Sequence, residues 1–392
     1  MVLPAMAVEQ NPANQSPIDL SAGEGRAIAP TIGISFSYDS NTYDTDIGGN
    51  NSWIGVVAPA VLLTSPPAQK RYALLYTGEY GHFFADSADN YNDHSLTGAA
   101  RFQFGSRGQA DVAGVIEKGH RDRGSGQTDG LDPSSPLFPT QPDVFDRNTL
   151  AGKFHYGADG NRGRLNFGLG ASQFEYTNNS QRTQFLNYDT QFASAGLSLL
   201  FHQRTAFVFD VIFTNTDYDR IQTGAASRDN KDWRYLVGMT WLATGKTEGS
   251  IRLGIQQRRF DDSTRAQSSN PSWAVDVRWS PREYSHFDFV TSRANEETDR
   301  EGLFIDRSIY RLAWTHEWSR GWQSIARWER RDSEFVDSAR DEDWSEYYLG
   351  MRIPQGRLLT WDVGYARRSR DSSLERLVFD GNMFSIGVNV GT

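Results

Sequence analysis

The chain of 392 residues contains no cysteine, which excludes disulfides and thiolate metal sites and leaves the compartment unassigned. It has no run of about 18 apolar residues, so no helix of this sequence is expected to cross a membrane. It has no basic stripe either. The net charge is −9 with both signs interspersed, which argues against a nucleic-acid partner. Enzyme signatures are missing as well: there is no HExxH, no GxSxG elbow, and no GxGxxG or Walker pattern opening a helix. His82, His94, His120, His155, His202, His286 and His316 are scattered, and read as strand-end or lumen residues, not ligands. Glu296-Glu297 and Asp341-Glu342-Asp343 fall in predicted loops and read as solvated charge runs. No enzyme activity and no cofactor are expected.

What the chain does have is 23 Phe, 16 Tyr, 11 Trp and 36 Gly. Their arrangement is clearest between Phe304 and Val336. A period of two puts Tyr310, Leu312, Trp314 and Trp318 on one face, and Arg307, Arg311, Thr315 and Glu317 on the other. Helical spacing is not met. Ser319-Arg320-Gly321 breaks the run, and Trp318 and Trp322 flank the turn, where an aromatic belt lies if the apolar face meets lipid. The negative mean hydropathy does not contradict this, because a transmembrane barrel alternates lipid-facing and lumen-facing residues and averages out as polar.

The unit repeats along the chain, from a first candidate strand at 31–39 to a last at 374–390, about 18 strands in all with 16 as the alternative. The connections alternate in length. Short ones include 105–108, 159–161, 244–246, 280–282 and 354–356. Long polar ones include 39–51, 121–145, 219–231, 261–270 and 293–302. Tight periplasmic turns and longer exterior loops are the pattern of an outer-membrane barrel, with both termini periplasmic. The expected fold is therefore all-β: one transmembrane antiparallel up-and-down β-barrel over 30–392. Residues 1–29 form a lead-in whose Ala5-Met6-Ala7 resembles the end of a signal peptide. The Gly-, Ser- and Pro-rich stretch 119–142 is the longest loop, expected to project outside, with folding into the pore as the alternative.

The larger apolar set defines a lipid face that includes Phe207, Phe209 and Val211, then Trp233, Tyr235 and Val237, then Leu359, Trp361 and Val363. The opposite face carries Glu79, Arg101, Asp111, Glu117, Lys153, Asp210, Arg252, Arg258, Asp276, Arg278, Asp288, Arg311, Glu329, Glu346, Arg352 and Asp362. Facing hydrocarbon, each would cost roughly 2–4 kcal/mol at mid-depth, so these sixteen are the candidate lumen lining. They need water or each other. A barrel of this size is too wide for side chains to fill, so a wet lumen is expected, with cross-strand charge pairs bracing its wall.

Tyr38-Asp39-Ser40-Asn41 ends the first strand, Pro59 lies inside the apolar second, Tyr76-Thr77-Gly78-Glu79-Tyr80 marks the third, and Asn92-Asp93-His94-Ser95-Leu96 opens the fourth. In these features the sequence resembles the Putative beta-barrel porin 2 family, found in bacterial exopolysaccharide gene clusters. The resemblance implies an outer-membrane translocation pore for a secreted exopolysaccharide, acting with a periplasmic polysaccharide-export protein. No catalytic residues come with it. Such barrels commonly end on an aromatic residue, whereas this sequence ends Val390-Gly391-Thr392. The expected partners are outer-membrane lipid and lipopolysaccharide and the polymer itself, with the barrel a monomer. A general diffusion porin and a structural or adhesive surface barrel are the competing readings.

Overall fold

The structure, a computed structural model, describes residues 27–46, 50–66, 68–157, 162–202, 204–244 and 246–391. The lead-in up to residue 26 and the turn 159–161 lie outside the described residues. Eighteen strands form one sheet: β1 (Ile28–Asp39), β2 (Ser52–Thr64), β3 (Lys70–Phe83), β4 (Tyr91–Phe104), β5 (Gly108–Arg121), β6 (Asp143–Tyr156), β7 (Gly163–Tyr176), β8 (Tyr188–His202) and β9 (Thr205–Tyr218) make the first half. The second half comprises β10 (Asn230–Thr244), β11 (Thr247–Phe260), β12 (Ser268–Arg282), β13 (Ser285–Glu296), β14 (Ile305–Glu317), β15 (Gln323–Phe335), β16 (Asp341–Gln355), β17 (Leu359–Ser372) and β18 (Phe379–Gly391). Each strand pairs antiparallel with the next, and β1 pairs with β18 from Thr31↔Gly391 to Asp39↔Met383, which closes the ring. Closure removes both sheet edges, so backbone groups within the wall find their partners inside the sheet, the β2–β3 gap beside Pro59 aside.

The register carries one face continuously round the ring. Phe36 stands opposite Ile386 and Gly55, Leu74 opposite Gly98, Phe209 opposite Leu197 and Val237, and Leu312 opposite Phe289 and Trp328. This face holds the exposed apolar side chains, among them Leu74, Leu150, Phe167, Phe209, Val237, Leu253, Leu349 and Ile386. Trp279, Trp318, Trp322 and Trp361 are exposed toward the short-turn end, and Trp53 and Trp233 toward the other, two levels that suit the two headgroup regions. Replacing Val237, midway along β10, with Arg is expected to cost roughly 2–4 kcal/mol in a bilayer. Denaturant unfolding from lipid vesicles measures this, and a cost near zero would place Val237 off the lipid face.

Pro59 sits in β2 where the β2–β3 pairing skips from Val57↔Tyr80 to Ala60↔Thr77. Its missing N–H falls in that gap, so a proline is tolerated inside a paired strand. Strand bounds differ from the sequence expectation by a few residues at several ends. β8 opens at Tyr188, because 180–183 form a short helical turn, and β18 opens at Phe379 after a turn at Glu375–Leu377. A larger correction concerns Asp341-Glu342-Asp343, which begin β16 and are not a loop. The described ends of the barrel, Ile28 and Gly391, both lie at the short-turn end.

Candidate functional site

The face of β17 bearing Arg368 and Arg370 meets Asp44 and Asp129 of loops that reach over the mouth, so it is the concave, inner face. Alternation and register place all sixteen charged residues singled out in the sequence on that same face. Most are brought together in pairs. Arg101 bonds Asp111 at 2.6 Å with Lys153 across from it, and Glu117 lies 3.8 Å from Arg147. Arg252 bonds Asp210 at 2.9 Å, and Arg278 bonds Asp288 at 2.6 Å. Arg352 bonds Asp362 at 2.9 Å, and Arg327 bonds Glu346 at 2.6 Å. Glu329 is held from both sides by Arg311 and Arg331, each at 2.7 Å. Glu79 accepts from the Tyr91 hydroxyl at 2.5 Å, and Asp276 stands across from Ser250. Arg258 is 3% exposed and bonds Asp232 at 2.5 Å and Glu297 at 2.8 Å.

Pairs such as Arg101–Asp111, Arg278–Asp288 and Arg352–Asp362 follow from the sheet itself, since residues directly opposite on adjacent strands lie close enough for long side chains to meet. Arg252 instead reaches Asp210 across β10, and Arg331 joins Glu329 along β15. Guanidiniums also cap aromatic rings on the inner face, among them Arg331 over Trp344 at 4.3 Å, Arg327 over Tyr348 at 5.1 Å and Arg147 over Phe174 at 5.3 Å. The inner face of β2–β5 is different. There Leu62, Ala73, Leu75, Ala99 and Ala113 make a smooth apolar patch. Beside the patch the same strands carry Glu79, Arg101, Asp111 and Glu117, so charge lines the wall on both sides of the ring.

At the long-loop end the mouth is bridged. The longest loop, 122–142, was expected to project outside; it folds inward instead, and the reason lies in its charges. Arg123, 6% exposed, bonds Asp89 at 2.6 Å and also Asp86, and its guanidinium lies 5.4 Å over the Tyr43 ring. These contacts tie the root of the loop to the 40–51 and 84–90 connections. Six residues on, Asp129 reaches the far wall, bonding Arg340 at 2.6 Å and Arg370 at 2.7 Å. Its backbone carbonyl accepts from Arg300. Gly130 follows in the left-handed region (φ +66°), where a Cβ would lie 2.6 Å from Leu377 Cδ2. Only glycine fits both the conformation and the approach.

A second loop, 297–304, comes to meet the first. Glu297 accepts from Tyr218 at 2.5 Å and bonds Arg258, Asp299 lies 3.8 Å from Arg121, and Glu301 bonds Arg340 at 2.6 Å. Since β14 is eight strands from β6 in a ring of 18, the two loops come from nearly opposite sides. Beneath them Phe145, Phe174, Tyr188 and Tyr218 form a lateral aromatic row on the inner face, with neighbouring ring centres 5.0 to 5.4 Å apart. The sequence expectation missed this latch. Its partners lie 211 and 241 residues apart, and no local spacing signals them.

Outside the strands, burial pushes the Tyr43 hydroxyl up to about 12, with the Asp89 carboxylate adding to it. Asp44 sits beside it in the left-handed region (φ 49°), with Oδ1 enclosed and without a hydrogen-bond partner. Burial pushes its carboxyl up to about 6; Arg368 opposes the shift and Asp39 reinforces it. A folded-state value above the unfolded 3.8 means that the folded protein holds this proton more tightly. The stability Asp44 contributes is therefore fully present below 3.8 and is lost as pH rises through about 6. Thermal melts of wild type and Asp44→Asn are expected to differ in pH dependence over that window, wild type losing stability toward neutral pH relative to the variant. Parallel curves would mean that Asp44 titrates normally.

A closed 18-stranded antiparallel ring with an apolar outer belt, a polar inner wall and a loop-narrowed mouth defines an outer-membrane β-barrel of the porin kind. The chain belongs to the Putative beta-barrel porin 2 family, whose profile matches residues 26–392. Among solved structures it is similar in fold to OccK2 (OpdF) of Pseudomonas aeruginosa, at 12% identity and TM-score 0.51, covering 93% of this chain and 98% of that one. A BenF-like porin from Pseudomonas fluorescens Pf-5 is similar at 11% identity and TM-score 0.50, covering 93% and 99%. The same holds for P. aeruginosa OpdK with vanillate, at 11% identity and TM-score 0.50, covering 93% and 98%. No curated protein matches the chain.

Proposed function

We propose that this outer-membrane barrel is the passage for a secreted polysaccharide, closed at its outer mouth by the latched loops until export. The observation that supports it best is the wall. Its charges are compensated in place by cross-strand pairs, leaving distributed donors and acceptors and no single strong ring. A sugar chain exchanges hydroxyl–water bonds for wall bonds at each step, and weak, repeated contacts let it advance without stalling. The short-turn end would face the periplasm and an export protein there, the outer belt would face lipid and lipopolysaccharide, and one chain would suffice. No chemistry on the polymer is proposed.

The second reading is a diffusion porin for small solutes, favoured by the inward fold of loop 122–142, which would then be a permanent constriction. The similarity in fold to OpdK with vanillate fits that reading equally. Conductance in planar bilayers, with and without polymer, separates the two. Steps that polymer blocks support export, and large steps indifferent to polymer support the porin. Polymer secretion left intact by deletion of the gene would sink the export reading.

A further inference from the structure

We infer that Arg340 and Arg370 form a carboxylate-binding site on the far wall of the mouth, and that Asp129 of the long loop is its built-in occupant. The ligand it would take in exchange is an acidic saccharide, one bearing uronate carboxylates. This deepens the export reading and rests on it for the source of the ligand.

Three observations lead there. The two guanidiniums converge on one carboxylate: Arg340 Nη2 lies 2.6 Å from Asp129 Oδ2, and Arg370 donates through Nη2 to Oδ1 at 2.7 Å and through Nη1 to Oδ2 at 3.1 Å. Planar, forked donors aimed at both oxygens are what carboxylate recognition requires.

The cage is also held from behind, without help from Asp129. Arg340 Nε donates to Glu342 at 2.8 Å, and its guanidinium lies 4.2 Å over the Phe335 ring. Arg370 Nε donates to the Leu377 carbonyl at 2.6 Å, and its guanidinium lies 4.9 Å over Phe379. Both stay aimed at the mouth when the carboxylate between them leaves.

Finally, the occupant is on a removable element. Asp129 comes from a loop rooted at β5 and β6, whereas the cage belongs to β17 and the β15–β16 turn. Four guanidiniums, of Arg300, Arg340, Arg370 and Arg376, face three carboxylates there, of Asp129, Glu301 and Glu342. With the loop in place the cluster is one positive charge in excess, and withdrawal of Asp129 raises the excess to two. A passing uronate restores the balance, so polymer and loop compete for one seat.

Calorimetry on the purified full-length barrel in detergent tests this, with galacturonate oligomers, dextran oligomers of equal length, and galacturonate monomer. Asp129→Asn removes the internal competitor while keeping its shape. It is expected to bind the galacturonate oligomer at least about tenfold more tightly than wild type, the gain of one good charge-assisted pair. Dextran binding should be unchanged, and adding Arg370→Gln should abolish the gain. Gly130→Val, whose Cβ would meet Leu377 and Arg376 and so displace the loop tip, should move affinity in the same direction, while Asp129→Asn is the variant that leaves the support of Arg370 untouched. Monomer gaining as much as oligomer would assign the site to small acids and overturn the polymer ligand. Equal gains for dextran, or none for galacturonate in either variant, would overturn the carboxylate site. A separate gene deletion keeps the two readings apart. Polymer secretion left intact by the deletion, beside a purified barrel that binds galacturonate, would fail the export reading and leave the cage standing.

Discussion

Excising residues 124–140 and joining the ends through a short Gly-Ser link should raise single-channel conductance several-fold. The segment carries Asp129, which holds the tip to Arg340 and Arg370, and leaves Arg123 at the root with its partners Asp86 and Asp89. None of its residues pairs in the sheet, so the ring of 18 strands should form as before. Loop excision of this kind is tolerated when the remaining backbone keeps its hydrogen bonds. The control is the thermal unfolding temperature, expected to fall by little. Conductance equal to wild type would locate the narrowest point elsewhere, either on the second loop or deeper in the lumen.

The second large effect is expected at Arg258. Its guanidinium is almost fully enclosed, bonds Asp232 and Glu297, and lies 4.7 Å over the Phe304 ring. Arg258→Met keeps volume and removes the charge, leaving two enclosed carboxylates facing one another. Breaking a buried pair in this way costs roughly 3–5 kcal/mol, most of it the penalty on the partners left behind. The Tyr218 and Asn230 donors to Glu297 soften that penalty but do not replace a cation. A marked drop in unfolding temperature is the expected result. Adding Asp232→Leu should restore part of it, because an apolar substitute for the whole pair avoids the desolvation cost. A variant that melts like wild type would mean that lumen water already solvates the pair.

Arg258 also shows how far the sequence could be read. Its place on the inner face was legible, because alternation along β11 sets Ile251, Leu253 and Ile255 against Arg252 and Arg258. The identity of its partners was not. Asp232 comes from the neighbouring strand and is fixed by register, but Glu297 lies on a loop, in a pair of carboxylates that reads as solvated. Asp129 was hidden for the same reason: a Gly-, Ser- and Pro-rich loop has no period to project. Tryptophan placement was legible at Trp318 and Trp322, since both flank a short turn. The aromatic row of Phe145, Phe174, Tyr188 and Tyr218 escaped notice because it runs across strands. Strand-by-strand reading detects faces, and it is blind to rows.

The latch also orders events during biogenesis. Strands that pair are consecutive in the chain, so hairpins can zip in sequence from β1 onward, each contact local compared with the closing one. Asp129 must wait, because its partners are Arg340 and Arg370, made last, and their wall reaches it only once β18 has met β1. A barrel caught before that meeting has an unguarded mouth. Protection of residues 122–142 from protease would therefore lag insertion of the strands and report the moment the ring is sealed.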